Sequence, residues 1–205
     1  MTITWYGHSC FKVEDDGSSV VFDPYRPGSV PGLSLPPLRA DYCVCSHGHD
    51  DHFYPEGVEL TGAKPPIAAE SFNTFHDDKN GAKRGKNTVT IIELGGVRVM
   101  HMGDIGHPLT KLRREEFGRV DVLMVPVGGF FTIDAAGALE MKEYFSPYVT
   151  IPMHYRGSGF GYSQIDGVER FADLCPDAVY QDSPVLDIDA IEHPCTVILK
   201  CPVKK

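Results

Sequence analysis

Three histidines and two aspartates lie within seven consecutive positions, Ser46-His47-Gly48-His49-Asp50-Asp51-His52. Two histidines two positions apart cannot share a helix face. At the end of an extended strand, however, their side chains point the same way, so His47 and His49 can bind one cation. Asp51 and His52 are adjacent and cannot easily reach that same ion, which favours a second ion beside it. A solvated polar loop is the alternative, but imidazole with carboxylate is the ligand set that borderline metals prefer.

Two metal ions need more than four ligands, and three further candidates each follow an apolar stretch. His76 comes after Phe75, Asp104 ends the segment His101-Met102-Gly103-Asp104, and His154 ends Thr150-Ile151-Pro152-Met153-His154. The sequence therefore predicts a two-metal site assembled from the ends of several strands.

The His-x-His-x-Asp-His pattern and three later matches in the same order resemble the metallo-β-lactamase superfamily. The matching residues are His47, His49, Asp51, His52, His76, Asp104 and His154, so the resemblance covers nearly the whole chain. Two shorter motifs, Trp5-Tyr6-Gly7-His8-Ser9-Cys10-Phe11 and Phe22-Asp23-Pro24, are similar to the branch that contains ascorbate-6-phosphate lactonase and N-acyl-phosphatidylethanolamine phospholipase D.

The resemblance implies a role for each matched residue. The first metal ion would be bound by His47, His49 and His76, the second by Asp51, His52 and His154, and Asp104 would bridge the two. Asp23 would orient a ligand histidine through the nitrogen that does not bind metal. A turn aspartate before Pro24 is the alternative for Asp23.

The remaining histidines have competing interpretations. His8, at a strand end, lies either near the active site as a catalytic residue or in a structural role. His101 is a core histidine or the partner of a metal ligand. His107 either faces the site or ends a turn, and His193 is expected on the surface.

The implied reaction is hydrolysis at two divalent ions. A hydroxide bridging the ions would attack an ester, lactone or phosphodiester, and Asp51 could accept or return the proton. Zinc is the expected metal, although a His/Asp set also accepts manganese or iron. The alternatives are a non-hydrolytic di-iron redox protein of the same fold and a metal-binding protein without turnover. The redox proteins are less similar, because they carry a glutamate where His49 stands.

Three loop regions are candidates for substrate binding. Gly128 and Gly129 could present backbone N–H groups to an oxyanion, or form a plain turn. Arg84 belongs to the only dense basic stretch, 79–86, and the alternative interpretation of this stretch is a solvated charged loop. Tyr155 and Arg156 follow His154. Positive charge next to ligands in an acidic protein favours a small anionic substrate.

The composition limits the other function classes. A chain of 205 residues with 42% hydrophobic residues suits one domain over 1–205. The net charge is −9, and no lysine/arginine block exceeds two residues, which argues against nucleic acid as a partner. No apolar run approaches the ~20 residues of a membrane span, and the N-terminus lacks a signal-peptide pattern, so we expect a cytoplasmic protein. The sequence leaves open whether the protein forms a homo-oligomer.

The order of elements predicts an α+β fold. Strands are expected over 3–6, 10–13, 20–22, 42–45, 66–69, 88–94, 97–102, 122–125, 149–153 and 196–200, and helices over 109–117, 135–145 and 168–174. The proline-rich segment 23–38 is expected to be loop. This order favours a mixed sheet core with helices outside. The resemblance implies an αββα four-layer sandwich, in which two mixed sheets pack together.

Overall fold

The computed structural model of the chain describes residues 1–63, 65–109 and 114–202. Its strands, in chain order, are β1 (Thr2–Trp5), β2 (Phe11–Asp15), β3 (Ser18–Phe22), β4 (Leu38–Ala40), β5 (Tyr42–Val44), β6 (Val58–Leu60), β7 (Ala68–Phe75), β8 (Lys86–Leu94), β9 (Val97–His101), β10 (Val122–Pro126), β11 (Val149–Met153), β12 (Ala178–Tyr180), β13 (Val185–Asp187) and β14 (Cys195–Ile198). Its α-helices are α1 (Arg114–Phe117), α2 (Ala135–Phe145) and α3 (Glu169–Ala172), and two 3₁₀ turns cover Pro55–Gly57 and Ile188–Ala190.

Most of these strands form two mixed sheets. The five-stranded sheet has the order β13-β1-β2-β3-β5, with β3 and β5 parallel and the other pairs antiparallel. The seven-stranded sheet has the order β12-β14-β11-β10-β9-β8-β7. Its strands from β12 to β9 pair in parallel, whereas β9, β8 and β7 form an antiparallel meander. The prediction of two mixed sheets is confirmed.

Two glycine-containing turns set the register of the hairpins. Asp15 pairs with Ser18 across Asp16 and Gly17, which both have positive φ. Leu94 pairs with Val97 across Gly95 and Gly96, again both with positive φ. A two-residue turn with positive φ at both positions matches the twist of the flanking strands, and this is why Asp-Gly and Gly-Gly predicted hairpins correctly here.

The two sheets bury a common hydrophobic core. Alternate residues such as Val13 and Phe22 of the five-stranded sheet belong to the same buried cluster as Ile91 and Met100 of the seven-stranded sheet. Helix α2 begins at an Asp134 side chain that caps the Gly137 N–H at 3.0 Å, and it buries Ala138, Met141 and Phe145 against β10 and α3.

The outer face of the five-stranded sheet is covered differently. Val21 points away from the common core and joins a second buried cluster with Tyr25, Val30 and Leu33 of the proline-rich segment. Among the described residues, this face is therefore covered by loop and by the small β4–β6 sheet, where the resemblance implied helices. A proline-rich loop can do this because its backbone needs few internal hydrogen bonds and its apolar side chains fill the space.

Several element boundaries differ from the predictions. The sequence analysis missed β4, β6, β12 and β13, which have three residues each and so too short a pattern to read. Strand β7 runs to Phe75 instead of ending at residue 69, because it is an edge strand with mostly exposed, polar side chains. The helix expected over 168–174 is shorter and covers Glu169–Ala172. Of the helix expected over 109–117, the structure describes Arg114–Phe117 as α1, and 110–113 lie outside the described residues. None of the described helices has the length and apolar character needed to span a membrane.

Candidate metal centre

The predicted ligands come together where strands of both sheets end. The segment from Ser46 to His52 follows β5 of the five-stranded sheet. His76, Asp104 and His154 follow β7, β9 and β11 of the seven-stranded sheet. Because the strands end at one edge of the packed sheets, residues more than a hundred positions apart become neighbours.

Three groups of side chains place potential ligand atoms within 4.8 Å of one another. The first ligand group is His47, His49 and His76. The second ligand group is His8, Asp51, His52 and His154. The third contains His47, His52 and Asp104 and so links the first two.

Asp104 is the shared residue of the site. Its Oδ2 lies 3.2 Å from His76 Nε2 and 3.1 Å from His154 Nε2, and its Oδ1 lies 3.2 Å from His52 Nε2. The carboxylate thus contacts a member of the first ligand group and two members of the second. This is the placement that a bridging ligand requires.

Several buried polar atoms at this point have no hydrogen-bond partner among the described residues. They are His8 Nδ1, His47 Nε2, His52 Nε2, both ring nitrogens of His154, and Asp104 Oδ1. A buried polar atom without a partner costs about 1–3 kcal/mol, so a cluster of them needs a ligand to compensate. Imidazole nitrogen and carboxylate oxygen are suitable donors for a divalent transition metal, and the site therefore fits such ions.

Asp23 holds two ligand histidines. Its Oδ2 accepts hydrogen bonds from His52 Nδ1 at 2.7 Å and from Ser46 Oγ at 2.7 Å, and its Oδ1 accepts from the Ser46 N–H at 2.6 Å. Ser46 Oγ in turn accepts from His47 Nδ1 at 2.9 Å. When either ring is neutral, an Nδ1 proton engaged in this way leaves the Nε2 lone pair towards the site. The structure places Asp23 where the sequence predicted it; Ser46 was missed.

Asn87 holds the loop that carries Asp104. Its amide donates to Thr74 Oγ1 and to the Met102 carbonyl, both at 2.9 Å, and its Oδ1 accepts from the Asp104 N–H at 2.8 Å. Gly103 has φ +55°, and a Cβ there would lie 2.4 Å from Asn87 Oδ1. The loop therefore needs glycine beside the ligand, both for its backbone conformation and for space.

The electrostatics favour metal-binding protonation states in several ligands. Burial lowers the pKa of His47 to about 3, so this ring is neutral at pH 7. Burial alone would raise the pKa of Asp104, but His154 and His52 hold it well below its usual range. Burial opposes charge on His52, yet Asp104 and Asp23 raise its pKa well above normal. A cation between these two carboxylates is thus electrostatically favoured.

His8 lies against the second side of this cluster. Its Nε2 is 3.2 Å from Asp51 Oδ2, and its ring is almost fully buried. The backbone at His8 is left-handed, with φ 52°, and its carbonyl accepts from Trp5 Nε1 at 3.0 Å and from the His154 N–H at 3.2 Å. Asp23 and His154 are also left-handed, with φ 43° and 53°. Burial, followed by His154, lowers the pKa of His8 to about 4.

A cavity of about 330 Å³ opens over the cluster. We call it the site cavity, and it is lined by His49, Asp51, His76, Arg84, Asp104, Phe131 and Tyr162. The Arg84 guanidinium carbon lies 5.5 Å from the Phe131 ring centroid and 5.9 Å from that of Phe130. The Phe131 carbonyl accepts from His76 Nδ1 at 3.1 Å. The loop that carries Phe130 and Phe131 thus orients His76 and also supports the Arg84 guanidinium on the cavity wall.

Tyr162 was missed by the sequence analysis. Its hydroxyl lies 2.7 Å from the Ser29 carbonyl and 3.2 Å from Asp51 Oδ2, and it reaches the cavity from a loop that follows β11. Burial, followed by the charge of Asp51, raises the pKa of Tyr162, so the phenol stays protonated. Nothing local in the sequence marks this tyrosine, because its partners are more than a hundred residues away.

The other predicted substrate residues do not reach the cavity. Tyr155 is buried in the core, with ring centroids 5.3 Å from Trp5 and 6.0 Å from Phe160. Arg156 Nε donates to the Ile165 carbonyl at 2.6 Å and fixes its own loop.

The two glycines serve the backbone. The Gly129 N–H donates to the Ile133 carbonyl at 3.2 Å, so it is not free for an oxyanion. A Cβ at Gly128 would lie 2.2 Å from the His154 carbonyl, so glycine allows this strand end to pack against the ligand. Both positions correspond to the turn that the sequence analysis left as the alternative.

Only part of the basic stretch borders the cavity. Asp77 accepts backbone N–H groups of residues 79, 81, 83 and 84, which shapes the loop and brings Arg84 inwards. Lys79 and Lys83 are exposed and pair with Asp78 at 3.1 and 3.6 Å. Their side chains therefore belong to the solvated surface.

The remaining histidines also have clear positions. His101 is a core histidine: its Nε2 donates to the Ser9 carbonyl at 2.9 Å, its Nδ1 accepts from the Gly103 N–H at 3.2 Å, and its ring stacks on Phe22. His107 Nδ1 donates to the Pro108 carbonyl at 3.1 Å. His193 is exposed, as expected.

Comparison with known proteins finds related metal-dependent hydrolases. Residues 2–154 match the family described as the β-lactamase superfamily domain. A UPF0173 metal-dependent hydrolase of Anaeromyxobacter sp. (strain K) is 31% identical, over 75% of this chain and 74% of the relative. Another from Carboxydothermus hydrogenoformans is 29% identical, over 76% and 84%. A Thermotoga maritima crystal structure, assigned as a Zn-dependent hydrolase of the metallo-β-lactamase superfamily, has a TM-score of 0.79 and 31% identity, and the match covers 98% of both chains.

Proposed function

The chain belongs to the metallo-β-lactamase superfamily, among the UPF0173 metal-dependent hydrolases, and on this premise we propose that it is a hydrolase with two metal ions that cleaves a small anionic ester, lactone or phosphodiester. The observation that carries the proposal is the position of Asp104. Its carboxylate contacts His76 of the first ligand group and His52 and His154 of the second. Two ions sharing this carboxylate would give a partner to His47 Nε2, His52 Nε2, Asp104 Oδ1 and one ring nitrogen of His154, which are otherwise buried and unpaired.

The residues that would hold the first ion are His47, His49 and His76, with Asp104 shared. Asp51, His52 and His154 would hold the second. When bound, such a pair of ions would polarise the substrate oxygen and lower the pKa of water towards about 7, so that hydroxide is available as the nucleophile at neutral pH. The ligand chemistry suits zinc, and manganese or iron are compatible with it.

Two side chains of the protein, Asp51 and Tyr162, are positioned for proton transfer and hydrogen bonding during the reaction. Asp51 Oδ2 borders the site cavity, and its pKa is lowered, because contacts with His8 and His52 outweigh the effect of burial. Asp51 is therefore ionised at neutral pH, which is the state that a proton acceptor beside the attacking water needs. Tyr162 remains protonated beside it and can donate its hydroxyl proton to a developing negative oxygen.

The cavity lining supports an anionic substrate of modest size. Arg84 is the cationic side chain on the described wall, and the aromatic rings of Phe130 and Phe131 limit its movement. A guanidinium held in this way can make a bidentate contact with a carboxylate or phosphate while the reacting bond lies at the ligand cluster. A volume of about 330 Å³ fits a small metabolite.

The test compares two matched substrates, 4-nitrophenyl hydrogen succinate and its neutral methyl ester. We expect higher kcat/KM for the anionic substrate in the wild type, and a loss of about 10- to 100-fold on that substrate alone in Arg84→Ala. Lys83→Ala is the matched control, because Lys83 is adjacent and cationic but exposed. Equal rates on both substrates in all three proteins would refute the anionic preference, and a wild type that saturates with one metal ion would refute the two-ion site.

A further inference from the structure

His8 stands outside the seven ligands that the family pattern supplies, yet it shares their surroundings. Its ring centroid lies 4.1 Å from that of His154 and 5.1 Å from that of His52. For comparison, the centroids of the ligand histidines His47 and His49 are 4.7 Å apart. His8 is therefore packed against the second ligand group as closely as the ligands are packed against one another.

The hydrogen bonding of His8 differs from that of a structural histidine. His101 is equally buried, and both of its ring nitrogens have backbone partners. His8 has no backbone partner at either nitrogen among the described contacts: Nε2 faces Asp51, and Nδ1 is buried and unpaired. His47 and His52 likewise each have one buried ring nitrogen without a partner.

The distances fit coordination of one ion. Ligand atoms about 2.1 Å from a metal and separated by a tetrahedral angle lie about 3.4 Å apart, and atoms at a right angle lie about 3.0 Å apart. His8 Nε2 and Asp51 Oδ2 are 3.2 Å apart, the same separation as His52 Nε2 and Asp104 Oδ1. All four members of the second ligand group offer atoms within 4.8 Å of one another.

The His8 ring is also held in place by a strained backbone conformation. His8 adopts a left-handed conformation, which costs a non-glycine residue conformational energy and is retained mainly where function requires it. Its carbonyl is fixed by the Trp5 indole and by the backbone N–H of His154 itself. The two histidines are thus positioned relative to each other by a direct backbone contact.

We propose that His8 is a fourth ligand of the second metal position, so that this position has one more protein ligand than the first. With Asp104 shared, the second position would have five protein ligands and the first would have four. Four ligands match the tetrahedral preference of zinc, whereas five favour an ion that readily takes higher coordination numbers, such as Mn²⁺ or Fe²⁺. The proposal rests on the two-ion site proposed above and predicts that its two positions differ in chemistry.

The experiment is a Co²⁺ titration of the metal-free full chain, followed by visible absorption, because the d–d bands of Co²⁺ become more intense as the coordination number falls. The variants are His8→Ala and His8→Asn, and asparagine tolerates the left-handed backbone. Tyr162→Phe is the control, since it removes the other hydrogen-bond partner of Asp51 Oδ2 without removing a ligand. Circular dichroism checks that each variant is folded.

We expect two bound equivalents in the wild type and in Tyr162→Phe, with the same spectrum. Both His8 variants should bind one equivalent at least about tenfold more weakly and show a more intense band for that ion. Wild-type binding and an unchanged spectrum in both His8 variants would overturn the proposal. So would a change that Tyr162→Phe reproduces, because His8 would then act only through a hydrogen bond to Asp51.

Failure of the two-ion proposal is recognised separately. If the wild type binds a single Co²⁺, that proposal fails. The role of His8 is then judged by whether the spectrum of the single ion changes in His8→Asn. If neither variant folds, a crystal structure of the Co²⁺-loaded wild type decides: coordination by His8 supports the proposal, and a ring that contacts only Asp51 overturns it.

Discussion

Replacing Asp23 by asparagine changes few atoms, but it should weaken metal binding by His52. Asp23 is not itself a proposed ligand. The carboxylate accepts three hydrogen bonds, from His52 Nδ1, Ser46 Oγ and the Ser46 N–H. An asparagine side chain offers one acceptor and one donor group. With its oxygen towards the Ser46 N–H, its NH₂ faces His52 Nδ1, and two donors meet.

The least costly response is a change of tautomer in His52. If the proton moves from Nδ1 to Nε2, Nδ1 can accept from the new amide, but Nε2 loses the lone pair that faces Asp104. Loss of such an orienting partner weakens metal affinity by about 10- to 100-fold, or about 1.4 to 2.8 kcal/mol. The backbone should remain in place, because asparagine tolerates the φ of 43° at this position.

The assay is a competition titration of Zn²⁺ against a chromogenic chelator, combined with thermal melts of the metal-free proteins. Asp41→Asn is the matched control. Asp41 is also buried and accepts from the Ser19 N–H, Ser19 Oγ and Thr61 Oγ1, but it is not part of the ligand cluster. We expect both variants to melt at lower temperature and only Asp23→Asn to lose affinity. Unchanged affinity in Asp23→Asn, or an equal loss in both variants, would refute the reasoning.

The same residue gives a dependence on pH with a definite sign. Burial alone would raise the pKa of Asp23, but His101 and His52 outweigh it, so the pKa is lower in the folded chain than the usual 3.8. The stabilisation from this carboxylate is therefore complete above about pH 4 and is lost as the pH falls through the folded value. Asp23→Asn should remove this part of the acid sensitivity of the metal-free protein.

Two further predictions concern residues around the cluster. In Gly103→Ala, the new Cβ would lie 2.4 Å from Asn87 Oδ1, so we expect a loss of about 1–3 kcal/mol in the free energy of unfolding. The control is Gly96→Ala, where a Cβ has open space and the loss should be smaller. Equal losses in thermal melts would contradict the predicted clash. In Tyr162→Phe, we expect kcat to fall by about 100-fold with little change in melting temperature, because the phenol donates a hydrogen bond at the site. The control Tyr25→Phe removes a buried hydroxyl bonded to a backbone carbonyl and should keep kcat. An equal loss of kcat in both variants, or no loss in Tyr162→Phe, would contradict the assignment.

Part of the candidate metal site could be predicted because its information is local. His47, His49, Asp51 and His52 are adjacent in sequence, and residue type and spacing alone limit what they can bind. Asp23 was recognised from a short motif. The residues that orient the ligands, such as Asn87, were not recognised, because an amide in a strand acquires this role only when the loop before Asp104 folds onto it.

The cavity wall was harder to predict for the same physical reason. Proximity in sequence to a ligand suggested Tyr155 and Arg156, but the chain turns into the core directly after His154. Tyr162, seven positions later in the chain than Tyr155, lines the cavity instead. In the fold, long strands with apolar periodicity and glycine turns were recognisable, whereas three-residue strands form only because a neighbouring strand offers them hydrogen bonds.

The left-handed backbone at His8, Asp23 and His154 has a consequence for how long the protein survives in a cell. Each such non-glycine residue costs about 1 kcal/mol or more, and the total is a sizeable fraction of the 5–15 kcal/mol that stabilises a typical domain. Ions that bind only the folded chain offset this cost by mass action. Metal-starved protein should therefore open more often and be degraded faster by proteases than the loaded form. The supply of the metal would then set the abundance of this protein as well as the activity of each molecule.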